Sequence, residues 1–340
     1  MTLTQGQAPN LVGMTTKPNA AEANGPRKPY TPAGQARSAG RTEPDAAEAT
    51  GRRKPYITAD HVSSARRTEP DAAEADGRRK PYIRVGQASA DRTTRRFTVH
   101  HDGVTIPVTR GGRGRPLVLC PGLNSTQADL HELTDLLRRD HDVVTFDLRG
   151  HGLASAAGSY SFESFLGDLA AVLEPGRLGL PSAPVVVGYS LGADLAVNYA
   201  AAHPGAVAGL VLIDGANPVP EPFITEDALP EFRTMFEDLA ARQQGSLTGR
   251  EILELNVEID AIRAGILDRY RRIDRPISVI ISTSMAGAEE RFNRNWRAGA
   301  ERLARELPHI STSWLDADHR LVFTHAPEIA QIIRTFMNGT

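Results

Sequence analysis

The sequence predicts a doubly wound α/β protein: a mostly parallel sheet of about eight strands, an inserted helical cap and a disordered N-terminal repeat tail. Three observations carry that expectation. Short β-branched runs without polar alternation, such as "PVVVGY" at 184–189, suit strands buried on both faces. Stretches of helical periodicity separate these runs, as right-handed crossovers between parallel strands require. Residues 222–273 then interrupt the alternation with helical periodicity and no strand signal.

The tail comes first, as residues 1–94. Three copies of one unit begin at Lys17, Glu43 and Glu69, and Pro18, Pro44 and Pro70 keep the same 26-residue period as Tyr30, Tyr56 and Tyr82. Each unit holds too few apolar residues to stack into a solenoid. Pro, Gly, Ala and charge dominate, so little burial offsets the lost chain entropy, and disorder is expected. Charge divides the chain at the same place. Residues 1–96 carry 17 Lys and Arg against 10 Asp and Glu, whereas residues 97–340 carry 22 against 31. A solvated linker left by duplication is the simplest reading. The "RRKPY" blocks also suit weak contact with nucleic acid or an acidic partner, and near-identical copies with basic pairs look like segments of a processed precursor. No recognised module stands in the tail, and Met14 offers a second possible start.

The body is residues 95–340. Asp102-Gly103 between "RFTVHH" and "VTIPVTR" signals a hairpin. Strand "PLVLC" (116–120), helix 126–139, strand "DVVTFDL" (142–148), helix 161–174, strand 183–189, helix 191–204 and strand "VAGLVLID" (207–214) follow. The cap insertion spans about 216–275. Strand "PISVIISTS" (276–284), helix 293–308, strand "HISTSWLD" (309–316) and helix 326–337 complete the alternation.

Bulk composition narrows the setting. A single cysteine, Cys120, excludes an intrachain disulfide framework. The first residues lack a cationic start before an apolar stretch, and no stretch approaches the roughly 20 apolar residues of a membrane span. A soluble cytoplasmic protein is expected, with no membrane partner. No spacing suggests a metal site, and no organic cofactor is implied.

One short stretch carries chemistry. "GYSLG" (188–192) lies where the valine strand gives way to an alanine-rich helix. Reactive groups in open parallel sheets gather at the carboxyl ends of strands, and a sharp strand-to-helix turn exposes its central hydroxyl if its flanks are small. Gly188 and Gly192 supply the small flanks around Ser190. The free N–H groups of the following helix favour negative charge there.

With "GYSLG", three further motifs give the resemblance: "CPGLN" (120–124), "DLRGHG" (147–152) and "DADHRLVFTHAPEIAQIIRTF" (316–336). Over roughly residues 95–340 the chain resembles the α/β-hydrolase superfamily, whose order is nucleophile, acid, histidine. The resemblance implies Ser190 as nucleophile and His319 as general base, with the backbone N–H groups of Leu123 and Leu191 as an oxyanion hole. Pro121 departs from the common histidine before the glycine, though Gly122 is kept, and Asn124 could add a side-chain donor. His101, His151, His203, His309 and His325 are rivals of His319; His151 belongs to a turn that is usually structural. Cys120 reads as a buried strand-end residue.

The acid is less legible. Its usual place after "PISVIISTS" holds Ser284-Met285, with no carboxylate before Glu289 and Glu290. A subset of the superfamily, including haloalkane dehalogenases and some lipases, takes the acid from the preceding strand. Asp214 stands at that strand's end and is taken as the acid, weighed against Glu289, Glu290, another residue and the absence of any acid. Asp316 and Asp318 lie too near His319 in sequence to be favoured. The cap's Phe223, Leu229, Phe232, Met235, Phe236 and Leu239 line either an apolar pocket or the cap's own core. The resemblance implies a serine hydrolase acting on a small-molecule ester, thioester or related acyl bond. The alternatives are a binding protein without turnover, and a lyase or cofactor-free haloperoxidase. Neither the substrate nor the oligomeric state is legible in the sequence.

Overall fold

A computed structural model describes residues 94–339 apart from 243, 244 and 288. The repeats, and the tail reading attached to residues 1–94 except Thr94, lie outside the described residues.

The chain enters through an antiparallel hairpin of β1 (Arg95–His101) and β2 (Val104–Gly112). Its turn residues Asp102 and Gly103 have φ of 48° and 73°, the two positive values that a two-residue type I′ connection needs. Next come β3 (Pro116–Cys120), α1 (His131–Leu137), β4 (Asp142–Phe146), α2 (Phe162–Leu173), β5 (Val185–Tyr189), α3 (Leu191–Ala202) and β6 (Gly209–Ile213). The insertion holds α4 (Leu229–Arg242), α5 (Gly249–Ala264) and α6 (Ile266–Tyr270). Then β7 (Ile277–Ser282), α7 (Glu290–Glu306), β8 (Ser311–Leu315), α8 (Leu321–Thr324) and α9 (Ala326–Gly339) close the chain.

The eight strands form one sheet in the order β1-β2-β4-β3-β5-β6-β7-β8. Only the β1–β2 and β2–β4 pairings are antiparallel, and β3 to β8 run parallel. Every residue of β3 to β7 is buried, which is why those strands read as continuous apolar runs. Helices cover both faces. Leu133, Leu137, Ile329 and Ile333 of α1 and α9 pack on one, while Phe165, Leu169, Leu195 and Trp296 pack on the other.

Residues 126–130 depart from the predicted helix and form turns ahead of α1. The Asp129 carboxylate accepts from the Thr126 N–H and hydroxyl at 2.9 and 2.7 Å, and Asp147 takes the Gln127 N–H at 2.8 Å. At a helix start these N–H groups have no intrahelical acceptor, and the Leu130 N–H still reaches the Thr126 carbonyl at 3.2 Å, so the segment is a capped turn short of regular helix. By contrast, α5 begins on a full capping box of Thr248 and Glu251.

Polar links tie the insertion to the sheet body. Glu258 accepts from the Phe162 N–H at 2.7 Å, and the Ser246 and Tyr160 hydroxyls lie 2.7 Å apart. Arg263 of α5 grips Asp194, in the first turn of α3, through Nε and Nη2 at 2.9 and 2.7 Å. A buried pair of this kind contributes little net stability but penalises any other docking of the two helices. No helix among the described residues is long and apolar enough to cross a membrane.

Candidate active site

Strand β5 ends at Tyr189, and the chain turns directly into α3 through Ser190. Ser190 has φ of 52° and ψ of −120°, backbone strain that persists only when the surrounding structure over-determines it. Packing on both sides does so. A Cβ on Gly192 would lie 2.3 Å from the Cys120 carbonyl oxygen, and one on Gly122 would lie 2.9 Å from the Ser190 Cβ. The elbow is therefore pressed against the end of β3, and its serine is half-buried beside a cavity of about 290 Å³.

His319 sits just after β8, and its Nε2 lies 2.9 Å from Ser190 Oγ. Its Nδ1 lies 2.7 Å from Asp214 Oδ2. The structure thus brings together Ser190, Asp214 and His319. Glu289 and Glu290 are placed elsewhere: Glu289 lines the cavity at the start of α7, and Glu290 pairs with Arg297.

Asp214 is fully buried at the end of β6, with φ of 49°. A carboxylate without solvent must find donors or it is strongly penalised. Oδ1 accepts from the Ser282 N–H at 2.8 Å and from the Trp296 indole N–H at 3.0 Å, and the Ser282 hydroxyl lies 2.9 and 2.8 Å from the two oxygens. Oδ2 remains for His319. The end of β7, where an acid was sought, therefore supplies a hydroxyl and an N–H to the acid one strand away. Ser282→Ala is expected to lower kcat for ester hydrolysis about tenfold with KM held within threefold, which steady-state kinetics would read. Tenfold corresponds to ~1.4 kcal/mol, the scale of a hydrogen bond to a charged group.

The histidine loop is fixed from the other side by the elbow itself. The Tyr189 hydroxyl donates to the His319 carbonyl at 2.8 Å, and the two rings lie 5.4 Å apart. Sequence reasoning missed Tyr189, Ser282 and Trp296 as partners. Tyr189 occupies the free position of the G-x-S-x-G pattern, and no local pattern flags the other two.

Leu123 and Leu191 line the cavity beside Ser190 and His319. Leu191 is the first residue of α3, where N–H groups have no intrahelical acceptor. The loop that carries Leu123 is held by His151. The buried ring's Nδ1 lies 2.8 Å from the Arg149 carbonyl, so Nδ1 is the donor and Nε2 accepts the Asn124 N–H at 3.1 Å. That contact stabilises Asn124 at φ of 62°. Asn124 does not line the cavity, which corrects the expectation that its side chain adds a donor there.

Burial pushes the His151 imidazole below its ordinary value, against the Arg149 carbonyl and Asp147, which raise it. The folded ring thus binds a proton less readily than the unfolded one. Its contribution to stability is complete above the ordinary histidine value and is lost as pH falls below it. His151→Phe removes the acceptor for the Asn124 N–H. Thermal denaturation is expected to show a loss of about 1–3 kcal/mol, together with a tenfold lower kcat.

The remaining rivals of His319 are placed otherwise. His101 contacts Asp168 at 2.8 Å, His203 stacks on Tyr199 at 4.4 Å, His325 contacts Thr324, and His309 is exposed. Cys120 is buried, and burial pushes its thiol up, so it stays protonated. Of the insertion's apolar residues, Phe223, Phe232, Met235 and Phe236 line the cavity. Leu229 and Leu239 pack against the neighbouring core instead.

Residues 115–297 match the sequence profile of the alpha/beta hydrolase fold family. The chain belongs to that family. The α/β-hydrolase chain is 28% identical over 185 residues to the 2-(acetamidomethylene)succinate hydrolase of Mesorhizobium japonicum, a match covering 52% of this chain and 62% of that enzyme. It is 36% identical over 112 residues to a non-heme haloperoxidase of Rhodococcus erythropolis, covering 32% of this chain and 39% of the relative. The crystal structure of a bromoperoxidase from Bacillus anthracis superposes with a TM-score of 0.55 at 18% identity, covering 72% of this hydrolase-fold chain and all of the other. The curated relatives are thus matched over less than two thirds of their length, and the structural likeness shows the fold.

Proposed function

We propose that this α/β-hydrolase chain is a serine hydrolase that cleaves an ester, thioester or related acyl bond of a small molecule through an acyl-Ser190 intermediate. The observation that carries the reading is the continuous contact chain Asp214–His319–Ser190 beside the cavity, at 2.7 and 2.9 Å. A serine hydroxyl is a weak nucleophile until a base takes its proton. In the proposed reaction His319 Nε2 accepts the Ser190 proton as Oγ adds to the carbonyl carbon. The Leu123 and Leu191 N–H groups hold the oxyanion. The leaving group departs with the proton from His319 as the acyl-serine forms. Water then repeats the sequence and releases the acid. Asp214, held by Ser282 and Trp296, keeps the imidazole tautomer and stabilises the imidazolium. Each oxyanion donor is worth ~3 kcal/mol in the transition state.

A binding protein without turnover would be favoured by the lack of a carboxylate after β7; the contact of Asp214, at the end of β6, with His319 supports the hydrolase reading instead. A fluorophosphonate probe tests the proposal, since it phosphonylates only an activated serine. Labelling of Ser190, absent in Ser190→Ala, is the expected result; an unlabelled wild-type protein would overturn it.

A further inference from the structure

The cavity lining is polar in part. Asn256, Asp260 and Arg263 share one face of α5 at helical spacing and all line the cavity that holds Ser190. Phe232, Met235, Phe236 and Phe292 form the apolar side. Arg263 spends Nε and Nη2 on Asp194, so those two charges cancel. Asp260 is left as a carboxylate in excess, 9% exposed, with Oδ2 accepting the Ile224 N–H at 2.9 Å. An ionised carboxyl has about four lone-pair sites, so acceptor capacity is left for a ligand. Glu231, Glu289 and Asp318 add acidic groups around the same cavity, against Arg320.

We propose that Asp260 determines specificity for the acyl portion of the substrate, receiving an uncharged or cationic hydrogen-bond donor such as an amide and excluding a carboxylate. The inference rests on the serine hydrolase reading. A carboxylate-bearing acyl group would add a further anion beside Asp260 and Asp194, which together already carry one charge more than Arg263 balances, and like charges brought together without water are strongly disfavoured. A carboxamide instead offers N–H groups to Asp260. Burial raises the Asp260 carboxyl above its ordinary value, opposed by the Ile224 N–H, Arg263 and the Phe223 N–H and reinforced by Asp194.

The test uses three p-nitrophenyl esters of six-carbon acids that differ only at the far end, which is methyl, carboxamide or carboxylate. Wild-type kcat/KM is expected to favour the carboxamide over the carboxylate by at least thirtyfold. Asp260→Asn keeps an oxygen for the Ile224 N–H. It should bring that ratio below fivefold. A smaller wild-type ratio, a ratio of fivefold or more in Asp260→Asn, or an equal loss on all three esters would overturn the assignment. Turnover without discrimination sinks the subsite alone. Neither labelling nor turnover of any ester sinks the hydrolase reading and this inference with it.

Discussion

Ser190→Ala is expected to lower kcat for p-nitrophenyl ester hydrolysis by on the order of 10⁴–10⁶-fold, the loss typical of removing a nucleophile that acts as a unit with its base. The residual rate would come from the oxyanion donors and from binding. Folding should be unaffected, because Ser190 Oγ has His319 Nε2 as its partner and the strained φ of 52° is imposed by the backbone around it. A variant with unchanged melting and near-wild-type turnover would show that the acyl group is carried elsewhere, or not at all.

Asp214→Asn is expected to lower kcat about 10³- to 10⁴-fold, as an imidazole locked in the wrong tautomer would. The neighbours dictate which way the amide must point. Oδ1 faces two N–H donors, from Ser282 and Trp296, so the amide oxygen must sit there. The amide NH₂ then faces His319 Nδ1, where the carboxylate oxygen lies now. Nδ1 becomes the acceptor, the ring proton moves to Nε2, and Nε2 no longer takes the Ser190 proton. Glu289→Gln, at the cavity wall without a contact to His319, is expected to stay within threefold. Steady-state kinetics on both variants decides the matter, and the reverse ranking would place the acid at Glu289.

The strands and helices were legible because their signals are local. Buried parallel strands show as apolar runs such as "VVVGY", and crossover helices show as periodic stretches between them. The helix expected from residue 126 begins only at His131, after turns in which Asp129 and Asp147 take the N–H groups of residues 126 and 127. His151 read as a structural turn residue, and its ring holds the loop that carries Leu123.

By itself the sequence determined the alternating architecture and the serine at its elbow, because their signals are local; the histidine of the last loop was implied by the resemblance of the motif around it. Only the tertiary structure decided which carboxylate meets that histidine. Asp214 and His319 are 105 residues apart, and their contact follows from the parallel register of β6 on β7 and β7 on β8. The same packing brought Ser282 and Trp296 onto the carboxylate and set Asp260 beside a spent arginine. Contacts at such separation depend on how whole elements dock, and no residue spacing in the chain records that.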